Sequence, residues 1–392
     1  MAKDRSVERF FEPLTLEPSD PLLSLIGLYN ADPRPTKLDL GVGVYRDGSG
    51  ATPIYRAVKN AERRLLDSQS TKAYLGPEGD SEFIRLIGQL AFGAEGKDLA
   101  GMQTPGGAGA LRVAAGLIAR ARPACTIWLG SPSWPAHAPI FSAEGLVVRT
   151  YRHVDAVTGA FAFDNILNAI AMADARDVFL LHGCCHNPSG ADPDESEWQE
   201  LARRISAKGV LPLVDLAYQG LGRGLDQDAA GARRILAAVG EAVITYSCDK
   251  NFSLYRDRTG AVFVKSVDAP ETARSNLHAL ARHMWSMPPD HGAAAVRIVL
   301  ETPELEKDWR EELAEVRKRL NGVRQALAVA DARLAYLASK NGLFSLLPLA
   351  PEHVETLRRE HGIYMAGSGR VNIAGLTEAN VPQFVGALDA VL

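Results

Sequence analysis

A lysine and an arginine lie close together after an apolar segment in the second half of the chain. Lys250 comes four residues after the apolar run Ala242–Tyr246, and Arg258 comes eight residues later. A lysine that is desolvated or beside other cations has a lowered pKa, and its amine can form a Schiff base. An arginine in the same loop could hold a phosphate through two parallel hydrogen bonds. A single lysine is more often a solvated surface residue, so this pair alone does not establish a site.

Two further segments carry compatible groups. Asp215 stands near the end of the apolar run Val210–Leu216, where a carboxylate could stabilise a cationic ring nitrogen. Segment 104–112 has three glycines before a helix-forming run, and free N–H groups at a helix N-terminus favour a phosphate. The alternative interpretations are a helix cap or solvated strand end for Asp215 and a tight strand-to-helix turn for the glycines.

Other reactive combinations are less well supported. His182 and His186 have the i, i+4 spacing of a metal-binding pair, but this segment ends a strand and no third ligand is evident. We therefore interpret both as structural histidines and expect no metal. The composition does not exclude a Ser–His–Asp triad, although the chain contains no Gly-x-Ser-x-Gly motif.

Alternating strands and helices must position these groups. From about residue 100 to 265, short apolar runs alternate with amphipathic segments such as Glu195–Ala207. This pattern predicts an α/β fold with a mostly parallel central sheet and helices on both faces. The predicted strands are Cys125–Leu129, Leu146–Tyr151, Val178–His182, Val210–Leu216, Ala242–Tyr246 and Ala261–Val264. Asp215 and Lys250 should then lie at one edge, because parallel strands share their carboxyl ends. A further helix is predicted to begin at Thr52.

The chain ends should form a second unit. Beyond Pro303, apolar residues recur every three or four positions as far as Leu327, which predicts one long helix. The tail from about residue 340 reads strand, helix, strand, helix, which predicts a smaller α+β domain. We expect a large domain at residues 45–305 and a small domain at residues 1–44 and 306–392, linked by the long helix.

Composition and charge exclude several classes of protein. The 392 residues include 43 Lys and Arg against 47 Asp and Glu, which gives a net charge of −4. This balance gives no reason to expect nucleic acid or an anionic membrane as a partner. The charged N-terminus and the lack of an apolar run of about 18 residues argue against a signal peptide or a membrane span. With four cysteines and no C-x-x-C spacing, we expect a cytoplasmic protein with reduced thiols.

Together these groups fit one cofactor. A phosphate cradle, a carboxylate, a lysine and an arginine at one sheet edge match pyridoxal phosphate, which has a phosphate, a pyridine nitrogen and an aldehyde. Essentially the whole chain also resembles the class I aminotransferases of fold type I, specifically the aspartate and aromatic amino acid group. The segments that carry the resemblance are 40–45 (LGVGVY), 72–76 (KAYLG), 133–135 (SWP), 182–188 (HGCCHNP), 215–220 (DLAYQG), the surroundings of Lys250, and 367–372 (GSGRVN).

The resemblance implies an activity and an assembly. The activity is pyridoxal 5'-phosphate-dependent transamination of L-aspartate, aromatic L-amino acids or both with 2-oxoglutarate, a ping-pong reaction through pyridoxamine phosphate. The assembly is a homodimer with shared active sites. One alternative is a β-lyase or decarboxylase on the same fold, although a second substrate-binding arginine, Arg282, suits the exchange of two diacids better. Another alternative is a non-catalytic ligand-binding protein.

The resemblance also implies the catalytic roles. Lys250 would form the Schiff base and move the proton between Cα and the cofactor. Asp215 would pair with the pyridinium nitrogen, with His137 supporting it from behind. Asn187 and Tyr218 would hydrogen-bond the ring hydroxyl, so that Lys250, Asp215 and Tyr218 form the catalytic set. These roles are consistent with transamination, since deprotonation of Cα needs a protonated ring to accept the electrons and a base already in place.

Other implied contacts surround the phosphate and the substrate. Arg370 would grip the α-carboxylate, and Arg282 would reach across the dimer interface to the distal carboxylate. The remaining implied positions are Trp134 stacked on the ring and, with Asn187, facing the substrate; Gly107, Ala108, Ser247 and Arg258 around the phosphate; Tyr74 on the phosphate from the neighbouring subunit; and Gly43 in the loop that closes over the substrate.

The chain departs from the family pattern at four positions. Ala108 stands where Thr or Ser is usual, so one hydroxyl contact to the phosphate is lost. Asp249 stands where Ser is usual, and its charge should weaken cofactor binding unless a nearby cation offsets it. Met287 and Ala73 make the pocket more apolar, which favours a substrate range that includes aromatic amino acids as well as aspartate.

Overall fold

The computed structural model describes residues 10–16, 21–96, 99–155 and 158–392. Part of the predicted small domain, residues 1–9 and 17–20, lies outside the described residues. The α-helices within the described ranges are α1 (Pro21–Ala31), α2 (Arg56–Ser68), α3 (Ser81–Phe92), α4 (Gly106–Ala121), α5 (His137–Ser142), α6 (Phe163–Met172), α7 (Glu195–Lys208), α8 (Leu225–Ala238), α9 (Pro270–Met284), α10 (Asp290–Glu301), α11 (Pro303–Ala330), α12 (Pro351–His361) and α13 (Val381–Asp389).

The strands form one large sheet and two small ones. They are β1 (Leu38–Asp39), β2 (Ala100–Pro105), β3 (Thr126–Ser131), β4 (Val147–Arg152), β5 (Val178–His182), β6 (Leu211–Leu216), β7 (Glu241–Ser247), β8 (Thr259–Ser266), β9 (Phe344–Leu346), β10 (Ile363–Tyr364) and β11 (Arg370–Asn372). The large sheet has the order β2-β8-β7-β6-β5-β3-β4. The small sheets pair β1 with β10 in parallel and β9 with β11 in antiparallel orientation.

Strand direction brings many strand ends to one edge of the large sheet. The strands β3 to β7 are parallel to their neighbours among themselves, whereas β8 is antiparallel to both β2 and β7. The strand β2 therefore runs in the same direction as β7. The chain passes from β3 outward to β4 and then returns to β5 on the other side of β3, and open α/β sheets bind ligands at such a reversal.

Alternating side chains give the sheet two apolar faces. Val243 and Ile244 are neighbours in β7, yet they belong to two separate buried clusters. One cluster packs under α4 and α9, with Ile118 and Leu280 among its members. The other packs under α7 and α8 and continues through Trp309 of α11. Helices therefore cover both faces, as expected for a largely parallel sheet.

Local signals explain where the principal helices begin and end. The side chain of Asp194 accepts from the Glu197 backbone N–H and Glu197 reciprocates, which forms a capping box at the start of α7. Gly209 then ends this helix in the left-handed conformation, with φ of 71°. Pro303 occupies the first turn of α11, where a missing N–H does no harm.

Most predicted elements are confirmed, with one clear error in position. All six predicted strands are present to within a few residues, and so is the long helix, α11. The order strand, helix, strand, helix in the tail is also confirmed. The helix predicted to begin at Thr52 begins instead at Arg56, because residues 52–55 have no regular secondary structure and Tyr55, with extended backbone, is its N-cap. No described helix is long and apolar enough to cross a membrane. The two-domain division stays a prediction.

Candidate active site

The carboxyl edge of the large sheet gathers side chains from five strand ends. Asp215 lies at the end of β6, paired in register with Thr245 of β7 on one side and His182 of β5 on the other. Ser247 ends β7 opposite Gly260 of β8. The strand β2 leads directly into α4, and β3 leads into α5. The mostly parallel arrangement therefore places the segments that carry candidate residues side by side.

Asp215 is buried, and both carboxylate oxygens have a partner. Its Oδ2 atom lies 3.2 Å from Nε2 of His137, and its Oδ1 atom accepts from the Thr245 hydroxyl at 2.8 Å. Burial alone would raise the pKa of Asp215, but the His137 contact and the Thr245 hydrogen bond outweigh it, so the pKa is lowered. The carboxylate is thus kept ionised inside the protein, which suits a group that must stabilise a cation.

A row of buried imidazoles continues from His137 away from Asp215. The hydroxyl of Ser133 joins Nδ1 of His137, at 2.8 Å, to Nε2 of His182, at 3.3 Å. The ring of His186 lies 4.3 Å from that of His182 and stacks on His153 at a centroid distance of 3.5 Å. Burial lowers the pKa of His182, His186 and His153, the last to about 4. Those three rings are therefore neutral near pH 7.

Lys250 lies on the loop after β7, and α11 fixes this loop. The indole N–H of Trp309 donates to the carbonyl of Asn251 at 2.7 Å, and the Phe252 ring stacks on Trp309 with a centroid distance of 4.4 Å. The Lys250 amine lies 5.3 Å from the centre of the Tyr218 ring. Burial lowers the pKa of Lys250, although nearby carboxylates oppose the shift. A larger fraction of neutral amine is what a Schiff-base lysine requires.

The start of α4 and the loop before β8 form a cradle. A Cβ atom on Gly107 would lie 3.0 Å from Cβ of Ser247, so the glycine allows a close approach. The Arg258 guanidinium faces this turn and donates to Asp249 at 2.5 Å. Arg258 has a left-handed φ of 55°, which is unfavourable for a non-glycine residue. Ala108 follows on the exposed side of the helix. Helix N–H groups, a hydroxyl and a guanidinium suit a phosphate.

Asn187 and Tyr218 face each other beside this cradle. The Asn187 side-chain amide donates to the Tyr218 hydroxyl at 3.4 Å, and both residues are buried. Among the residues that the structure describes, the side-chain oxygen Oδ1 of Asn187 has no hydrogen-bond partner. Burial raises the pKa of the Tyr218 hydroxyl, which therefore remains protonated. An unsatisfied buried acceptor beside a hydroxyl fits the ring hydroxyl of pyridoxal phosphate, which could donate to it.

Arg370 lies at the small-sheet side of the cleft. Its guanidinium donates to the carbonyl of Gly41 at 2.9 Å and lies over the Phe344 ring at 4.5 Å. Burial lowers its pKa. The same Phe344 ring lies 6.3 Å from the Tyr218 ring and would touch a Cβ atom at Gly43 at 3.0 Å. Arg370, the Gly43 loop and Tyr218 are thus joined through one aromatic side chain.

Three of the candidate residues lie outside this cluster or at its margin. The Tyr74 side chain is 92% exposed, and Arg282 is exposed and bonds to Ser286 beside it. Neither side chain bonds to Asp215, Lys250 or Arg370 in the described part of the chain. The sulfur of Met287 accepts a hydrogen bond from the backbone N–H of Leu75, the residue after Tyr74. Trp134 lies at the margin, with its ring 5.2 Å from His137.

Sequence reasoning missed two contributors. The Thr245 hydroxyl donates to Asp215. Thr245 and Ser247 lie two residues apart on one face of a buried strand, and this spacing of polar residues could have indicated the role of Thr245. Phe344 packs between Arg370 and Tyr218, and no local pattern distinguishes it from an ordinary core aromatic.

Comparison with known proteins gives consistent matches over the whole chain. Residues 35–388 match the family described as "Aminotransferase class I and II". The chain is 52% identical to a tyrosine aminotransferase of Rhizobium meliloti, with 96% of this chain and 98% of that protein covered. It is 42% identical to an aspartate aminotransferase of Escherichia coli, with 97% and 100% covered. A solved aromatic-amino-acid aminotransferase from Burkholderia pseudomallei, covalently bound to pyridoxal phosphate, superimposes with a TM-score of 0.94 at 34% identity, covering 98% and 100%.

Proposed function

The chain belongs to the class I and II aminotransferases, and on that premise we propose that it transfers the amino group of L-aspartate and of aromatic L-amino acids to 2-oxoglutarate. The enzyme is an aminotransferase that depends on pyridoxal 5'-phosphate and acts on small amino acids and oxo acids. The observation that carries the proposal is that the Lys250 amine and, through Phe344, the Arg370 guanidinium both adjoin Tyr218, just after the strand that carries Asp215. A cytoplasmic location also stays a proposal, supported by the four free cysteines.

The residues at the sheet edge fit this cofactor. When bound, pyridoxal 5'-phosphate supplies an aldehyde and a protonated ring that accepts the electrons released from Cα. We propose that the α4 turn at Gly107, with Ser247 and Arg258, holds its phosphate. Asn187 and Tyr218 would hydrogen-bond the ring hydroxyl, which could donate to the unsatisfied side-chain oxygen of Asn187.

Asp215 and Lys250 would do the proton chemistry. Asp215, kept ionised by His137 and Thr245, would hold a proton on the ring nitrogen. Lys250 would take the proton from Cα of the substrate and deliver it to C4′, the former aldehyde carbon of the cofactor. Its lowered pKa supports this role, because a general base works best with a pKa near the working pH.

Two arginines would orient the substrate. Arg370 would bind the α-carboxylate in place of its present contact with the Gly41 carbonyl. Arg282 from a second copy of the chain would bind the distal carboxylate of aspartate or 2-oxoglutarate, and Tyr74 from that copy would reach the phosphate. The exposure of both residues in one chain supports a homodimer with shared sites.

Replacement of the lysine tests this function. Lys250→Ala should lower turnover of L-aspartate with 2-oxoglutarate by about a thousandfold or more, because both the anchor and the base are lost. The matched control is Lys208→Ala at the end of α7, whose exposed amine bonds to the Ala171 carbonyl. Circular dichroism should show that both variants are folded. Native turnover in folded Lys250→Ala would contradict the proposed function.

A further inference from the structure

Asp249 places a second buried carboxylate beside the proposed phosphate cradle. It is 4% exposed, and its Oδ2 atom accepts from Arg258 at 2.5 Å. The same Nη1 atom of Arg258 also donates to the carbonyl of Tyr255 at 3.0 Å. The guanidinium that should face the cofactor's phosphate is therefore already paired with an anion of the same chain.

The second oxygen of this carboxylate is unsatisfied. Oδ1 of Asp249 is buried and has no hydrogen-bond partner in the described part of the chain. A second cation, the Lys250 amine, lies 4.0 Å from Oδ2. A buried carboxylate with one free oxygen is costly, because burial removes water without replacing every hydrogen bond. Arg258 is thus the main group that compensates the charge of Asp249.

The pair lies directly at the start of α4. A Cβ atom built on Gly106 would lie 2.6 Å from Nη2 of Arg258 and 3.5 Å from Oδ2 of Asp249. The helix N-terminus, which attracts anions, therefore already has a carboxylate beside it. A phosphate bound at Gly107 would lie close to this carboxylate, and like charges at short range repel strongly where water is excluded.

We propose that Asp249 competes with the cofactor's phosphate for Arg258, so that the chain binds pyridoxal 5'-phosphate weakly and exchanges it readily. This inference rests on the proposed function and deepens it. Without cofactor, Asp249 neutralises Arg258 and keeps the cradle closed to other anions. On binding, the phosphate must share or displace this contact, and the Asp249 carboxylate loses part of its compensation.

The test is titration of the cofactor-free protein with pyridoxal 5'-phosphate, followed by absorbance of the bound cofactor. Asp249→Asn and Asp249→Ser should each lower the dissociation constant by about tenfold, and release of bound cofactor should slow by a similar factor. The matched control is Asp257→Asn, which removes the same charge one residue from Arg258. This control should stay within about twofold of the parent.

A second titration separates the phosphate from the lysine. Pyridoxal, which lacks the phosphate, can still react with Lys250, so an effect of Asp249 on the lysine would appear with both compounds. The expected result is tighter binding of pyridoxal 5'-phosphate alone. An equal gain with pyridoxal, or no gain with either compound, would overturn the competition. If neither compound binds to the parent or to any of the three variants, both the proposed function and this inference are wrong.

Discussion

Asp215 and Asp249 are both buried carboxylates, and the partners of each determine what it can do. Asp215 has a partner on each oxygen and a lowered pKa, so its charge is fixed. Asp249 has Arg258 on one oxygen and, among the described residues, nothing on the other. A carboxylate with partners on both oxygens, such as Asp215, suits a role in which it stays charged throughout. A carboxylate with a partner on one oxygen, such as Asp249, suits a contact that can be exchanged.

The buried imidazole of His153 should make the fold sensitive to acid. Its pKa of about 4 reflects burial, against the weaker opposing hydrogen bond to the Ala191 carbonyl. Since the pKa is lower in the folded state, the unfolded chain takes up a proton first as the pH falls below about 6.5, and stability decreases towards about pH 4. His153→Gln, which keeps an N–H donor but cannot titrate, should remove about 2 kcal/mol of the stability lost between about pH 7 and about pH 5.

Urea unfolding at several pH values measures how steeply the free energy of unfolding changes with pH. His291→Gln is the matched control, since that side chain is 53% exposed. The slope for His153→Gln should be flatter than that of the parent, whatever its absolute stability. Identical slopes for parent and His153→Gln would show that His153 does not resist protonation in the folded state.

Single residues are predictable where strand ends locate them and unpredictable where partners come from distant segments. Asp215 lies near the end of β6 and Lys250 follows the neighbouring strand β7, so the pattern of apolar runs is enough to place them at one sheet edge. The contact of His153 with His186 joins the residue after β4 to the loop after β5, and neither segment predicts the other. The resemblance suggested that His137 supports Asp215, and its position 3.2 Å away agrees with that expectation.

At the scale of elements, the proposed phosphate site depends on where α4 begins. The helix begins directly after β2, at Gly106, with no connecting loop. Its first N–H groups therefore point into the same edge at which β7 delivers Ser247 and the Lys250 loop. A glycine at position 107 keeps the helix and the end of β7 close together, since a side chain there would press on Ser247.

Gly107→Ala tests the role of this close approach. The added Cβ would lie 3.0 Å from Cβ of Ser247, so the cradle must widen, and the affinity for pyridoxal 5'-phosphate should fall by about tenfold or more. Gly240→Ala, at the opposite edge of the sheet, is the control, because its Cβ would make an ordinary 3.4 Å contact with Val267. Equal affinities for the two variants would argue against phosphate binding at the α4 turn.

Elements are largely predictable because their signals are local. The apolar periodicity of α11 and the strand runs between residues 125 and 264 are sufficient to locate them. The predicted start of α2 is wrong by four residues, since a Thr-Pro pair also suits extended chain. The pairing of Leu38 with Ile363 could not be predicted, because two residues of strand carry no signal for a partner more than three hundred positions away.

At the scale of the whole molecule, the features that look misplaced in one chain are those that a dimer would use. Tyr74 is 92% exposed, although exposure of an aromatic side chain to water is unfavourable. Phe10 and Leu16, near the N-terminus, are 89% and 99% exposed. Arg282 is also exposed and bonds to Ser286 just beyond the end of its own helix. In the proposed homodimer, Tyr74 and Arg282 would have partners in the second copy of the chain.

Hybrid dimers test whether the site is shared. When Lys250→Ala and Arg282→Ala chains are co-expressed with different tags, the purified hybrid should contain one intact site and about half the native turnover of L-aspartate. In the control, Lys250→Ala is combined with Asp215→Asn, and the hybrid should stay inactive because both residues belong to the same chain's half of the site. Failure of the first pair to recover activity would contradict a shared site.

The most direct measurement is the absorbance of the protein with bound cofactor, before and after L-aspartate and, separately, L-phenylalanine, with no oxo acid present. The predicted result is a complete spectral change with each amino acid and release of one equivalent of the corresponding oxo acid per chain, because the reaction stops after one half-cycle without an acceptor. An unchanged spectrum with both amino acids, or continued release of pyruvate or carbon dioxide beyond one equivalent, would contradict transamination.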